Sequence, residues 1–229
     1  MAVSSESDSP KRAAIIDAAT DLFAARGYGA VSMESIARAA DVSKATLYAH
    51  FESKDRLFAS IVGTACRENF VLGEDLPDGN TDVAAALTAF GDRVLRFFLR
   101  DRSLAIHRLV VAETARFPEL GRTFYDNGPR AVRAMLAAWM ARMDQLSVPE
   151  PEIAADQFLG LLRAGLFTRA TLGLGGNPSD AEIDATVAVT VHTFLRAFGK
   201  SPQDALDRSS GVLRKSTPIR RPSPDAGTM

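Results

Sequence analysis

The sequence predicts an all-α protein in which a small N-terminal three-helix module precedes a larger C-terminal helical domain. Three observations support this fold class. Apolar residues recur at the spacing that places them on one face of a helix. Serine, glycine and proline stand where helices are capped or ended. The length of 229 residues accommodates a module of about 50 residues and a domain of about 150.

The N-terminal module is expected to contain three helices with a tight turn before the last. The helix starts are marked by capping residues, which are Ser9, Ser32, Ser43 and Ser53. Residues 10–26 form the first helix, and Gly27 ends it in the left-handed conformation that glycine adopts readily. Residues 44–50 form the third helix.

The fourth helix begins after Ser53 and crosses the boundary between the two domains. Residues 73–80 are rich in glycine, proline and aspartate and are expected to form a loop. We therefore divide the chain into a module of residues 1–60 and a domain of residues 61–200. Prolines with scattered serine and arginine predict a disordered tail over residues 201–229.

Periodic apolar stretches predict the helices of the C-terminal domain. Their expected caps or first residues are Thr81, Ser103, Pro129, Pro151 and Ser179. Residues 129–146 show the clearest amphipathic pattern. Residues 151–172 carry apolar side chains on more than one side, so that helix needs two packing partners.

The last segment is ambiguous between strand and helix. Val187, Val189 and Val191 alternate as in a strand. However, Ser179 and Glu182 form a capping-box pattern, which favours a helix over residues 180–199.

Composition and charge narrow the class of protein. Hydrophobic residues make up 46% and charged residues 24% of the chain, which argues against disorder and against a membrane protein. The first residues lack the apolar run of a secretory signal, so we expect a cytoplasmic protein. The single cysteine, Cys66, cannot form an intramolecular disulfide and is interpreted as a small buried hydrophobe.

The charge balance does not by itself indicate a nucleic-acid partner. The net charge is -1, and residues 1–60 contain seven Lys and Arg against eight Asp and Glu. Any contact with DNA must therefore come from a local arrangement of side chains.

The most informative segment runs from Ser32 to Phe51 and reads SMESIARAADVSKATLYAHF. Two short helices joined by a tight turn form the motif that inserts its second helix into the major groove of DNA. Together with the preceding helix, this segment resembles the DNA-binding domain of the TetR family of transcriptional regulators. The matching residues are Phe23, Gly27, Ser32, Ile36, Ala37, Ala40, Val42, Ser43, Thr46, Leu47, Tyr48, His50, Phe51, Lys54 and Leu57. The sequence departs from the family at Asp41 and Ala45, where glycine is usual or common.

The resemblance implies a DNA-contacting face made of polar and small residues. The expected contacts are Ser32, Ser43, Lys44, Ala45, Thr46, Tyr48, His50 and Lys54. By the same resemblance, Tyr48 and Lys54 hold the phosphate backbone while Lys44 and Ala45 face base edges. The alternative is a three-helix scaffold whose polar face is merely solvated.

The resemblance also implies a C-terminal domain that binds a ligand and dimerises through its last two helices. Residues 109–130 are similar to one subgroup, named for an AefR-like regulator. The expected dimer contacts are Phe158, Leu162, Leu166, Val187, Val191 and Phe194. The candidates for lining an effector site are Phe97, His107, Phe124, Trp139 and Met143. The alternative for each of these is a plain place in the core.

The resulting hypothesis is a homodimeric repressor that leaves a palindromic operator when a small hydrophobic or aromatic effector binds. It needs no cofactor, metal, catalytic residue or membrane. An enzyme is one alternative, but His50, His107 and His192 form no spaced metal motif. Residues 173–178 also lack the third glycine of a dinucleotide site. A protein-interaction module without DNA binding is the other alternative.

Overall fold

A computed structural model describes residues 10–69, 76–77, 82–176 and 178–200. The predictions for Ser9, Thr81, most of the loop at 73–80 and the tail beyond residue 200 lie outside these residues. Within the described ranges the chain is helical and contains no β-strand, which confirms the predicted all-α fold. In the same ranges, no helix combines the length and apolar character needed to cross a bilayer.

The described residues form eleven helices. They are α1 (Pro10–Arg26), α2 (Met33–Ala39), α3 (Lys44–His50), α4 (Lys54–Asn69), α5 (Val83–Leu99), α6 (Asp101–Glu113), α7 (Pro118–Asn127), α8 (Pro129–Met140), α9 (Pro151–Arg163), α10 (Leu166–Thr171) and α11 (Asp180–Phe198).

The predicted boundaries of the N-terminal helices are confirmed. Helix α1 ends where Gly27 adopts a φ of 81°, and α3 spans the predicted residues 44–50. The Ser32 side chain accepts a hydrogen bond from Ser35 N, and the Ser43 side chain accepts one from Thr46 N. These bonds satisfy backbone donors that a helix start leaves without an intrahelical partner.

The apolar side chains separate into two clusters. The first, called here the N-terminal core, joins α1–α4 to α6 and α7. Its contributions from α6 and α7 are Ile106, Leu109, Val110 and Leu120. The second, the C-terminal core, is built from α5, α8, α9 and α11. The predicted boundary at residue 60 falls inside α4, and it stays a prediction about which part folds independently.

Three predicted helices differ from the structure. Ser103 does not cap α6, because Arg100 is extended with a ψ of 138° and the helix begins at Asp101. An acidic residue in that first turn suits the positive end of the helix dipole. The predicted helix over residues 151–172 is two helices, because Gly165 takes a φ of 77° and separates α9 from α10.

The predicted helix over residues 129–146 ends early, at Met140. The chain then turns, so that Met143 and Leu146 still enter the C-terminal core. Ser147 N donates a hydrogen bond to Phe198 O at 2.7 Å, which fixes this segment to the end of α11. Helix α7 was not predicted at all, because its apolar face is short.

Candidate DNA-binding surface and effector cavity

Helix α3 contains one fully buried residue, and four of its seven residues are exposed. Leu47 is fully buried, whereas Lys44, Ala45 and Tyr48 are exposed. The tight turn before α3 requires Asp41 to adopt a φ of 52°, which aspartate tolerates better than most residues. Helix α3 is thus held to its module by Leu47, while Lys44, Ala45 and Tyr48 face solvent.

Several predicted DNA-contacting side chains already have partners within the protein. The hydroxyls of Ser43 and Thr46 lie 2.8 Å apart at the start of α3. Ser32 caps α2 in a capping box with Ser35. His50 is partly buried, and its ring lies 6.3 Å from that of Phe51. Their roles on DNA stay predictions.

Lys44 is the exposed cation of α3 and pairs with an acidic residue of α2. Its ammonium contacts the Glu34 carboxylate and lies 5.9 Å from the ring centre of Tyr48. The hydrogen bond with Glu34 raises the pKa of Lys44 and, reciprocally, lowers the pKa of Glu34. A phosphate or base approaching Lys44 must therefore displace or share the Glu34 partner.

Lys54 is directed into the protein rather than freely into solvent. Its ammonium donates hydrogen bonds to Tyr28 O at 2.8 Å and Val31 O at 3.0 Å. It also lies 4.3 Å from the ring centre of Tyr28. Burial lowers the pKa of Lys54. Two of its three donors thus hold the segment that leads into α2, and the predicted phosphate contact stays a prediction.

Tyr28 is a central residue that the sequence analysis missed. Its ring packs against those of Phe23, Phe58 and Phe117 at 5.2, 5.7 and 5.5 Å. Its hydroxyl donates a hydrogen bond to Asp55, and burial, followed by that bond, raises the pKa of Tyr28. A hydrophobic residue directly after a C-terminal glycine often packs back onto its own helix, and Gly27 could have signalled this contact.

A cavity of about 580 Å³ lies between the two cores. Its walls come from α1 of the N-terminal module, from the part of α4 beyond residue 60 and from α5 to α10. The lining residues are Arg12, Ala13, Ile16, Asp17, Thr20, Ile61, Val62, Thr64, Ala65, Cys66, Phe97, Phe98, Arg100, Arg102, Ser103, Ile106, His107, Phe124, Tyr125, Gly128, Pro129, Val132, Leu159, Arg163 and Phe167. The volume falls in the range of pockets that hold small organic ligands.

Three of the five predicted effector residues, Phe97, His107 and Phe124, line this cavity. The prediction was wrong for Trp139 and Met143, which lie in the C-terminal core. The indole of Trp139 is 1% exposed, and its Nε1 donates a hydrogen bond to Pro77 O at 3.0 Å. Helical periodicity correctly identified both residues as buried, although Met143 lies in the turn after α8, but it could not say which cavity or core they meet.

One wall of the cavity is a series of aromatic rings. The ring of Phe167 lies 5.5 Å from that of Phe98 and 5.1 Å from that of His107. The His107 ring is in turn 6.1 Å from that of Phe124. Burial, and then the positive charge of Arg163, lower the pKa of His107. His107 is therefore neutral at pH 7, and its ring can donate a hydrogen bond to a ligand or accept one from it.

The cavity also contains a thiol. Burial raises the pKa of Cys66 to about 11. The thiol is therefore protonated at neutral pH and behaves as an apolar wall, in agreement with its interpretation as a hydrophobe.

The residues predicted to form a dimer interface do not reach the surface of the subunit. Phe158, Leu162, Leu166, Val187, Val191 and Phe194 are at most 6% exposed and pack in the C-terminal core. The prediction was wrong for these residues because the subunit itself supplies their packing partners. The large exposed apolar side chains on α9 and α11 are Ile153, Leu161 and Val189.

The chain matches two family models. Residues 15–61 match the one described as bacterial regulatory proteins, tetR family. Residues 85–200 match the one described as AefR-like transcriptional repressor, C-terminal domain. Together they cover both cores and most of the cavity wall.

Curated relatives match over part of their length. The HTH-type transcriptional activator FasR of Mycolicibacterium smegmatis is 36% identical over 87 residues, which are 36% of this chain and 39% of FasR. The uncharacterized HTH-type transcriptional regulator YhgD of Bacillus subtilis is 41% identical over 54 residues, or 24% of this chain and 28% of YhgD. The matches thus span well under half of either relative.

Solved structures match over nearly their whole length. A TetR transcriptional regulator from Agrobacterium tumefaciens has a TM-score of 0.68 at 27% identity, covering 86% of this chain and 99% of that one. The flavonoid-responsive regulator FrrA has a TM-score of 0.67 at 36% identity, covering 82% of this chain and 97% of FrrA.

The geometry of Lys54 predicts a structural effect that Lys44 does not share. Lys54→Ala leaves the carbonyls of Tyr28 and Val31 without their donor, so we expect the free energy of unfolding to fall by about 1 to 2 kcal/mol. Lys44→Ala is the matched control and is expected to leave stability unchanged, since its ion pair is exposed. Urea denaturation of both variants measures the difference. Equal stability of the two variants would contradict the anchoring role of Lys54.

Proposed function

Since this chain belongs to the TetR family of transcriptional regulators, we propose that it is a homodimeric repressor released from a palindromic operator by a small, largely apolar effector. Family membership makes it a DNA-binding regulator and not an enzyme. The observation that carries the rest of the proposal is the cavity, whose walls combine α1 of the DNA-binding module, the C-terminal part of α4, which continues from that module, and helices α5 to α10.

Recognition of DNA is proposed for the exposed face of α3. Lys44, Ala45 and Tyr48 are exposed there, whereas Leu47 is buried. Residues 1–60 contain seven basic and eight acidic side chains. Phosphate binding therefore depends on the positions of the cations rather than on their number. In the free protein Glu34 pairs with Lys44 and holds this cation in place. On binding, DNA takes the place of Glu34 as the partner of Lys44.

Repression rather than activation is proposed on the basis of the C-terminal match. The family model for residues 85–200 is described as a repressor, and that region carries the cavity helices α5 to α10. FasR is named an activator, but its match covers only 39% of its own length. The experiment below therefore measures whether the protein lowers or raises transcription.

The coupling between cavity and DNA is proposed to pass through the contact between α6, α7 and the loop after α1. Phe117, just before α7, packs on Tyr28, and its ring lies 3.2 Å from where a Cβ on Gly29 would stand. A ligand that moves α6 or α7 must therefore move the segment that leads into α2. Because coupling of this kind is reciprocal, operator must weaken effector binding by the same factor.

Dimerisation is proposed for the exposed faces of α9 and α11. Ile153, Leu161 and Val189 are 50%, 36% and 66% exposed and are accompanied by small residues. The small exposed residues on these helices are Gly160, Ala181, Ala185, Ala188 and Ala197. An apolar surface with small side chains lets two pairs of helices approach closely, as an interface between copies requires.

We expect the protein to lower transcript yield from a promoter that contains its operator, with half-site centres about 10 bp or a multiple apart. Flavonoids are the first compounds to add, since FrrA is named flavonoid-responsive. Release should restore transcription.

Phe167→Ala removes a ring from the cavity wall and should weaken release about tenfold or more, because the lost contact is worth over 1 kcal/mol.

Leu172→Ala is the control for this measurement, since Leu172 follows α10 and is 65% exposed. It should leave both operator affinity and release unchanged. A transcript yield that rises on adding protein would show an activator. Release that is equally strong in Phe167→Ala would place the effector outside this cavity.

We also expect Leu161→Glu combined with Val189→Glu to convert dimers into folded monomers, because two carboxylates per subunit cannot be desolvated between apolar helices. Sedimentation velocity measures the mass, and circular dichroism confirms the fold. The control is Val111→Glu on α6, which is 67% exposed and lies on neither α9 nor α11. A double variant that sediments as the wild-type dimer would place the interface elsewhere.

A further inference from the structure

The cavity contains a cation that the proposed function does not use. Arg163, the last residue of α9, is partly buried and lines the cavity beside Leu159 and Phe167. Among the described residues, its close partner is the ring of Phe98, whose centre lies 4.9 Å from the guanidinium carbon. The carboxylate of Asp156 raises the pKa of Arg163, but that carboxylate is held by Arg133 at 3.0 Å.

The other charged lining residues are exposed, paired or stacked on a ring outside the cavity. Arg12 is partly buried, but its guanidinium carbon lies 5.3 Å from the ring centre of Phe51, which is not a lining residue. Arg102 forms ion pairs with Asp17 at 2.8 Å and with Asp21 at 3.2 Å. Arg100 is exposed and lies 5.9 Å from the ring centre of Phe97. Within the described part of the chain, Arg163 is thus the partly buried cavity guanidinium that stacks on a ring of the cavity wall and forms no ion pair.

A partly buried guanidinium without a counter-charge lowers the stability of the folded protein. Removing a charge from water without a counter-charge is unfavourable, and burial accordingly lowers the pKa of Arg163. The stacking on Phe98 offsets part of this cost and also fixes the plane of the guanidinium. A residue that costs stability but is held in a defined orientation inside a cavity is expected to serve binding.

We infer that the cavity takes a ring-containing, otherwise apolar ligand with a single anionic group, a carboxylate or phenolate, and that Arg163 pairs with that group. This inference rests on the proposal that the cavity is the effector site. The ring system would lie along the aromatic wall of Phe98, Phe167, His107 and Phe124. The volume of about 580 Å³ admits two or three fused or linked rings.

The chemistry of both partners accounts for selectivity. A planar guanidinium donates two parallel hydrogen bonds to a carboxylate, and the low polarity around it strengthens them. A neutral amide of the same shape offers no charge and leaves Arg163 desolvated without compensation. Neutral His107 adds a hydrogen bond but no second positive charge, so a single anionic group suffices.

The test compares acids with amides of the same skeleton. Calorimetry measures the binding of 2-naphthoate against 2-naphthamide and of 4-phenylbenzoate against 4-phenylbenzamide, using the full-length protein. For the wild type we expect at least one acid to bind tenfold or more tightly than its amide. Arg163→Gln should abolish that preference, and Arg163→Lys should retain part of it.

Arg100→Gln is the matched control, since Arg100 lines the same cavity but is exposed. It should keep the preference for the acid. Thermal unfolding supplies a second measurement, because Arg163→Gln removes an uncompensated charge and should not lower the melting temperature. Failure of both acids to outbind their amides, or a preference that is lost with Arg100→Gln and kept in Arg163→Gln, would overturn the inference.

Operator release, measured separately, distinguishes this inference from the proposed function. An acid that binds through Arg163 without weakening operator binding would leave the inference standing and contradict the effector role of the cavity. A neutral compound that releases operator equally from wild type and Arg163→Gln would support the effector role and contradict the pairing with Arg163.

Discussion

The packing of α6 and α7 onto the N-terminal helices is the interaction on which the rest of the structure depends. A module of about 60 residues buries a smaller share of its surface than a larger domain does and is therefore marginally stable by itself. Here Ile106, Leu109, Val110 and Leu120 complete its apolar core. The helices that carry the recognition surface are thus held by helices that also form the cavity wall, and neither can shift without affecting the other.

The cavity at this boundary gives the arrangement its regulatory potential. Ile16 and Ile61 belong to the N-terminal core and line the cavity, while Leu159 lines it from the C-terminal core. A ligand bound in the cavity contacts residues of both cores at once. Lys54 and Arg163 are both partly buried cations with different partners. Lys54 donates hydrogen bonds to backbone carbonyls and fixes the loop after α1, whereas Arg163 stacks on Phe98 and is proposed to pair with an anionic ligand.

Local signals in the sequence predicted the fold well, and long-range packing explains what they missed. Ser32, Ser43 and Gly27 mark helix ends through bonds within a few residues, so their positions were confirmed. Periodicity identified Phe158 and Trp139 as buried but could not tell a subunit core from an interface or a cavity. Gly27 signals the packing of Tyr28 on its own helix, but the contact of Tyr28 with Phe117 and that of Arg163 with Phe98 join segments far apart in the chain, and no local pattern reveals them.

Native-state hydrogen exchange tests the shared core most directly. If α6 and α7 complete the N-terminal core, amides of Phe23 in α1 and Val110 in α6 should open with the same free energy and the same dependence on denaturant. The amide of Leu95 in α5, which belongs to the C-terminal core, provides the comparison. Exchange of Phe23 in a separate, less stable unit, with Val110 protected together with Leu95, would contradict the account.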